Sequence, residues 1–325
     1  MMVWEPNMTR ALVWGGLGFI GQHLVHGLLQ RGTEVTVLCR ARRQCPEPGW
    51  GSRVRWLELD ASPDREAVMR EAAATDVVYD LAGSSGTVTS NLNPLDSLQE
   101  NCGEHLHFLR ACESAATPPH IVFASSWLVH GKIDSLPVTE DCQIQPRSIY
   151  ATHKACIENY LRIYACRNKI TYTVCRISNP YGPYHSRPRR TYNILNLFIE
   201  QSLAGKPVFL FGDGSQLRDY IYIDDLVDAL ILCGECPAAR NEVFNISLGR
   251  SHSILEAVGM IRSMVAAPPP VFMPWEAEYL AAESGSYVAD IGKARRLLGF
   301  KPRFSLRRGL ETTVCHLRDL RIAGD

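Results

Sequence analysis

Residues 11–21 read Ala11-Leu-Val-Trp-Gly-Gly-Leu-Gly-Phe-Ile-Gly21, and this stretch decides the fold. Ala11–Trp14 is a short apolar run suited to a buried strand. From Phe19 to about Arg31 the apolar residues recur at helical spacing. Between them the glycines remove side chains where backbone could approach a pyrophosphate and a helix N-terminus could face it. The run satisfies G-x-G-x-x-G from Gly16 and G-x-x-G-x-x-G from Gly15. Glycine spacing alone is weak evidence; its place between a strand and a helix is the context a dinucleotide site requires. Gly15, Gly18, Phe19, Ile20 and Gly21 are therefore candidate cofactor contacts.

Outward from this turn, β-branched runs alternate with helical patterns, which implies parallel strands joined by crossover helices. Further strands are expected at Glu34–Cys39, Val54–Leu59, Asp76–Leu81, Ile121–Ser125 and Tyr172–Arg176, with helices near Ser97–Ala116 and Tyr150–Asn168. Later, Asp219–Ile223 and Val243–Ile246 read as strands and Asp224–Leu232 as a helix. The expected fold is α/β, a Rossmann-type doubly wound parallel sheet with a smaller, interleaved C-terminal lobe. Residues 9–180 form the dinucleotide-binding core, with 219–246 returning to it, and 181–218 and 247–325 form the substrate lobe.

The chain has 325 residues with 34 basic and 34 acidic side chains. That balance gives no electrostatic reason to bind nucleic acid or an anionic membrane. No apolar run approaches the roughly 20 residues a membrane helix needs, and the first residues lack the regions of a signal peptide. Eleven cysteines are scattered without a framework and read as reduced thiols of a cytoplasmic protein. Cys233 and Cys236 are a close pair, but no second pair completes a zinc site, so no metal is expected.

The end of the second strand bears on cofactor choice. A carboxylate there would accept from a ribose 2′-hydroxyl and repel a 2′-phosphate. The chain instead has Cys39-Arg40, with Arg42 and Arg43 close behind. Arginine suits phosphate by charge and fork geometry, which favours NADP over NAD. Asp60, ending the third strand, is placed to meet the adenine edge.

Tyr150-Ala-Thr-His-Lys154 carries the chemistry. On a helix, positions i and i+4 share a face, so a phenol and an ammonium can converge. A nearby ammonium favours phenolate over the free phenol, which titrates near pH ~10. Lowering that value by about two to three units takes about 3–4 kcal/mol. Such a Tyr could take a proton from an alcohol as hydride leaves its carbon. Taken alone, the pair is more often a solvated i,i+4 contact than a catalytic one, because Tyr-x-x-x-Lys arises often by chance in helices.

Taken together, these residues resemble the extended short-chain dehydrogenase/reductase family, in particular its nucleotide-sugar epimerases and dehydratases. The resemblance runs from Ala11 to about Thr313. It rests on the glycine turn, Asp80-Leu-Ala-Gly83, Asn101, Phe123-Ala-Ser-Ser-Trp-Leu-Val-His-Gly131, the Tyr150/Lys154 pair and Arg176-Ile-Ser-Asn-Pro-Tyr-Gly-Pro183. Gly212-Asp-Gly-Ser-Gln-Leu-Arg-Asp-Tyr-Ile-Tyr-Ile-Asp-Asp225 is the most specific stretch, and Asp290-Ile-Gly-Lys-Ala294 completes the pattern. The resemblance implies Tyr150, Lys154 and Ser126 as catalytic residues. It implies Leu81, Ala82, Gly83 and Asn101 at the cofactor. It implies Ser126, Asn179, Asn193, Arg218 and Tyr287 at a nucleoside-diphosphate sugar, with Arg218 on the diphosphate. It also implies a homodimer built on the helices near 97–116 and 150–168.

Three departures sharpen this. Where family dehydratases carry Asp-Glu after the catalytic hydroxyl, this chain has Trp127-Leu128, so elimination lacks its acid and base. His130 replaces a Tyr and reads as structural. The stretch Glu276–Glu283 lacks a second diphosphate-binding Arg, for which Ser186-Arg-Pro-Arg-Arg190 could compensate. The leading expectation is C4 epimerisation of a nucleotide sugar through a transient ketone. The alternatives are an NADPH-dependent reductase of a nucleotide-linked 4-keto sugar and a catalytically silent dinucleotide-binding regulator. The intact Ser126, Tyr150 and Lys154 argue against the last.

Overall fold

The computed structural model describes residues 9–41, 50–167, 170–184 and 193–324. Arg42, Arg43 and the Ser186–Arg190 loop lie outside the described residues. In chain order the strands are β1 (Arg10–Trp14), β2 (Glu34–Cys39), β3 (Val54–Glu58), β4 (Val77–Asp80), β5 (His120–Ser126) and β6 (Thr171–Ile177). They continue as β7 (Asn179–Tyr181), β8 (Phe209–Phe211), β9 (Leu217–Tyr222), β10 (Glu242–Ile246), β11 (Ser251–Ser253) and β12 (Val271–Met273). The helices of the first half are α1 (Phe19–Gln30), α2 (Arg65–Ala72), α3 (Thr87–Leu92), α4 (Pro94–Leu98), α5 (Glu104–Glu113) and α6 (Ile149–Cys166). Those of the second half are α7 (Ile194–Leu203), α8 (Ile223–Glu235), α9 (Ile254–Met264), α10 (Ala277–Ala282), α11 (Gly292–Leu298) and α12 (Leu306–Gly324).

Seven strands form one parallel sheet in the order β10-β6-β5-β4-β1-β2-β3. Both faces are covered, so the strands are apolar on both sides rather than on one. Alternation sorts them: Ala11, Val13, Val35, Val37 and Tyr79 pack with Leu24 and Leu28 of α1 and Leu230 of α8. Leu12, Trp14, Leu38 and Val78 pack on the other face with Phe108 of α5 and Ile157 of α6. Each fully buried Leu contributes on the order of 2 kcal/mol. The strand order reverses between β1 and β4, and in such sheets the crevice beyond the strand ends at that point is where ligands bind.

The expected doubly wound fold is present, with informative differences. The helix expected near Ser97–Ala116 is present as a continuous helical run, Pro94–Glu113, with a bulge inside it. Pro94 opens α4 after α3 ends at Leu92, and Gln99–Gly103 forms a widened π-helical turn before α5. Such turns re-aim side chains, and this one buries Asn101. Within 219–246, α8 packs against the parallel sheet and β10 forms its edge. β9 instead joins β7 and β11 in a separate three-stranded sheet. A third apolar cluster, Trp127, Val138, Tyr287, Ala289 and Ile291, joins the smaller lobe to the sheet end.

Among the described residues no helix is long and apolar enough to cross a membrane, and no cluster of His, Cys, Asp or Glu is arranged to hold a metal ion. Cys233 and Cys236 point to different partners: Cys233 Sγ lies 3.6 Å from Cys175 Sγ, and Cys236 Sγ donates to the Leu297 carbonyl.

Candidate active site

The glycine turn sits at the C-terminal end of β1. Gly15 has φ +88°, a conformation that side-chain-bearing residues rarely adopt, and a Cβ there would stand 2.9 Å from the Leu81 carbonyl oxygen. A Cβ on Gly21 would overlap the Gly15 carbonyl oxygen. The turn, the start of α1 and the Leu81 segment are therefore packed backbone on backbone. No side chain caps α1 at Gly18, which leaves its first N–H groups for a ligand's anionic oxygens. This cradle fits the pyrophosphate of a dinucleotide.

Opposite it, Leu81, Ala82 and Gly83 leave β4. Asp80 Oδ1 accepts from the Ala82 N–H at 3.2 Å and lies 3.2 Å from His105 Nε2. His105 is itself buried against Trp14 and Phe123. Asn101 donates to Ser84 Oγ at 3.1 Å and Ser97 Oγ at 3.3 Å. Its Oδ1 has no protein hydrogen bond among the described residues and stands where a Gly83 side chain would be. Asn101 thus shapes the crevice wall. The Asp80–His105 pair spans 25 positions of chain, and nothing local in the sequence marks His105 as its partner.

At the end of β2, Cys39 is buried, donating to the Leu57 carbonyl, while Arg40 is exposed and pairs with Glu100 at 2.8 Å. An exposed pair of this kind is worth about 0–1 kcal/mol, so an incoming phosphate can displace Glu100. Asp60 N–H donates to the Arg40 carbonyl at 2.8 Å, and the Asp60 carboxylate pairs with Arg65 at 2.9 Å. Arg65 also holds Glu104. Asp60 and Arg40 are therefore neighbours on one rim of the crevice.

Ser126 ends β5 and is buried; its Oγ accepts from the Leu128 N–H at 3.3 Å. Tyr150 lies in the first turn of α6, whose N-cap Ser148 accepts from Ala151 N–H. The Tyr150 N–H donates to Ser90 Oγ at 3.1 Å. Burial pushes the Tyr150 phenol up to about 12, and its hydrogen bond with Ser126 acts in the opposite direction. Part of the residue stays accessible, but the protein around the hydroxyl outweighs that contact with water. Lys154 Nζ donates to the Ala124 carbonyl at 2.8 Å, stands 4.7 Å over the Phe123 ring, and is 5.9 Å from the Tyr150 ring centre. Burial lowers Lys154 to about 8, with Asp80 the largest influence opposing it.

This corrects the sequence-based expectation of a lowered phenol. The pair does share a helix face, but the ammonium is engaged by a strand carbonyl below the ring rather than by the hydroxyl. In the free protein Tyr150 is a neutral phenol able to donate a proton.

Beneath the site, a buried ion pair ties β6 to α6. Arg176 Nη2 bonds Glu158 Oε2 at 2.9 Å, Arg176 Nη1 donates to the Glu140 carbonyl, and Ser125 Oγ donates to Glu158. Removing one partner of such a pair typically costs about 3–5 kcal/mol, so β6 and α6 are held firmly together. His130 lies nearby, its pKa lowered to about 4 by burial and by Arg176. It is enclosed and structural.

The lobe residues are placed differently. Asn179 on β7 donates to the Asp219 carbonyl at 2.9 Å. Asn193 caps α7, accepting from Asn196 N–H, while its Nδ2 is buried without a hydrogen-bond partner among the described residues. Arg218 on β9 makes two bonds to Glu283, at 2.7 and 2.8 Å, and donates to the Gly285 and Leu217 carbonyls. Its guanidinium stands 5.6 Å over the Trp127 ring, and Trp127 in turn lies 4.6 Å from Tyr287. Tyr287 is fully buried, its hydroxyl without a protein partner among the described residues, and its phenol is pushed well up by burial. Glu283 and Trp127 are the residues here that sequence reasoning did not assign to the site. Trp127 was visible only as the absence of an acid.

A family model described as NAD dependent epimerase/dehydratase matches residues 11–247. The chain belongs to this family. It is 29% identical to a UDP-glucose 4-epimerase of Mycolicibacterium smegmatis, over 95% of this chain and 99% of that protein. It is also 29% identical to UDP-glucuronic acid decarboxylase 1 of Danio rerio, over 95% of this chain and 73% of that protein. A crystal structure of UDP-glucose 4-epimerase with UDP-glucose from Thermotoga maritima superposes with a TM-score of 0.86. The match covers 96% of this chain and 99% of that one at 29% identity. Membership identifies the dinucleotide that suits the glycine cradle as a nicotinamide cofactor.

Proposed function

We propose that the protein is a nucleotide-sugar C4 epimerase that oxidises the C4 hydroxyl transiently to a ketone and returns hydrogen to the opposite face. The observation carrying this reading is the placement of Ser126 at the end of β5 and Tyr150 in the first turn of α6, close enough for Ser126 to act on the phenol, with Lys154 one helical turn beyond. A nicotinamide dinucleotide held by Gly15, Gly18–Gly21, Leu81–Gly83 and Lys154, when bound, supplies the hydride chemistry. Tyr150 then takes the O4 proton and returns it, and Ser126 hydrogen-bonds the same oxygen. Moving the phenol from about 12 to ~8 takes ~5 kcal/mol. The Tyr150 ionisation therefore depends on positive charge coming nearer than Lys154 stands in the free protein. Asn179, Asn193, Arg218 and Tyr287 form the substrate side, with Arg218 exchanging Glu283 for a diphosphate. The relatives' names favour a UDP-hexose.

The test is incubation of the purified protein with a UDP-hexose without added reductant, followed by product analysis. Interconversion of the C4 epimers is expected; turnover only with stoichiometric NADPH and a 4-keto sugar would overturn the reading. That second reading, a reductase, draws on one observation: Arg40, and no carboxylate, follows β2 at the crevice rim, which favours NADP. We further propose a homodimer through α4, α5 and α6. Leu95, Leu98 and Ile163 stand exposed on α4 and α6 at 78%, 48% and 55%, and light scattering at the mass of one chain would exclude the dimer.

A further inference from the structure

A cavity of about 740 Å³ opens in the C-terminal lobe, between β11, α9 and the segment that enters α12. None of the glycine-turn residues, Ser126, Tyr150, Lys154 or Arg218 lines it. Its volume falls within the roughly 300–1,000 Å³ of small-molecule sites. The arginines around it are Arg250, Arg295, Arg303 and Arg307, with His252 beside them, and no carboxylate is among its lining residues.

These groups are not equivalent. Arg303 is bound to Asp225 and Asp228, Arg307 reaches Glu311 at 4.0 Å, and His252 approaches Glu256 at 3.8 Å. Arg250 and Arg295 have no ion-pair partner among the described residues, and both are exposed. Their positive charge is uncompensated at the mouth. Leu248, Met260, Val288 and Phe304 give the interior an apolar wall, and Phe304 is fixed by stacking on Tyr222 at 4.2 Å.

We propose that this cavity is a second binding site, for a small organic phosphate whose ring or acyl part lies on the apolar wall. Guanidinium groups match phosphate oxygens in charge and in their paired donor geometry. Apolar burial adds affinity that inorganic phosphate cannot gain. The proposal stands apart from the catalytic reading, because it shares no side chain with that site. The two are close in the fold all the same: His252 lies opposite Arg218 in the β11–β9 ladder, and Val288 follows Tyr287.

Calorimetric titration of the whole protein with phenyl phosphate tests it, with benzyl alcohol and inorganic phosphate as comparisons. Phenyl phosphate is expected to bind more tightly than either. Arg250→Ala/Arg295→Ala, which alters two exposed side chains, is expected to weaken it by at least about tenfold. Arg218→Ala is expected to change it less than about twofold. Absence of binding, or binding that follows Arg218 and ignores Arg250 and Arg295, would overturn the site. Inorganic phosphate binding as tightly as phenyl phosphate would overturn the organic class.

Discussion

The two sides of the crevice are prepared in opposite ways. On the dinucleotide side, backbone does the work: glycines let β1, α1 and the β4 exit approach closely, and α1 begins without a side-chain cap. That surface is finished before any ligand arrives. On the lobe side, the charged group is already answered from within the chain, since Arg218 spends its donors on Glu283 and two carbonyls. On the proposed function, ligand binding there would mean exchanging one set of partners for another. A rigid cradle gives affinity through preorganisation, whereas an exchanged ion pair gives selectivity at a cost in affinity.

The most severe break in this comparison is Tyr150→Phe, which removes the proton-handling oxygen and leaves the cradle alone. Turnover is expected to fall by about 10²–10⁴, with dinucleotide affinity, read by fluorescence quenching, within about twofold. An equal loss in both would place Tyr150 in binding rather than in catalysis.

A second test concerns the joint between the two sides. His130 is held neutral in the fold down to about pH 4, whereas in the unfolded chain it protonates near ~6.5. Between those values the unfolded state binds more protons, so stability falls as pH drops through the window, by up to about 3 kcal/mol. His130→Gln is expected to flatten this dependence in urea midpoints compared at pH 7 and pH 4.5. An unchanged slope would assign the acid sensitivity elsewhere, with the buried His120, also lowered to about 4, the next candidate.

On the lobe side, Arg218→Ala is expected to raise KM for a UDP-sugar about tenfold to a hundredfold while kcat changes less than about threefold, the pattern of lost uniform binding. A fall in kcat with unchanged KM would contradict the exchange of Glu283 for diphosphate. The smallest effect belongs to the cradle's rim. Arg40→Ala is expected to weaken NADP about tenfold and NAD less than about twofold, measured by direct titration; equal losses would show that Arg40 does not read a 2′-phosphate.

Legibility in the sequence followed the range of the interactions. The strand–glycine–helix unit was readable because its determinants lie within eleven consecutive residues, and β2, β4, β5 and β6 because buried parallel strands are short apolar runs. Asn101, Ser126, Tyr150 and Lys154 were readable through family resemblance and helical spacing. The state of Tyr150 was not. The i,i+4 rule put Lys154 on the right face but could not say that the Ala124 carbonyl would accept its hydrogen bond. The helix near 97–116 was legible, but the widened turn at Gln99–Gly103 that buries Asn101 was not; it packs beside α6, an element about fifty residues further on.

The sequence by itself determined the sheet and the glycine cradle, because local periodicity and steric demand act between near neighbours, and it put forward Ser126, Tyr150 and Lys154 as the proposed proton-handling residues. Only the tertiary structure decided that burial raises the Tyr150 phenol rather than Lys154 lowering it, that Asp80 meets His105, that Glu283 holds Arg218, and that arginines from residues 250 and 295 share one cavity. Each of these joins side chains far apart in the chain, where charge and desolvation are fixed by packing rather than by spacing.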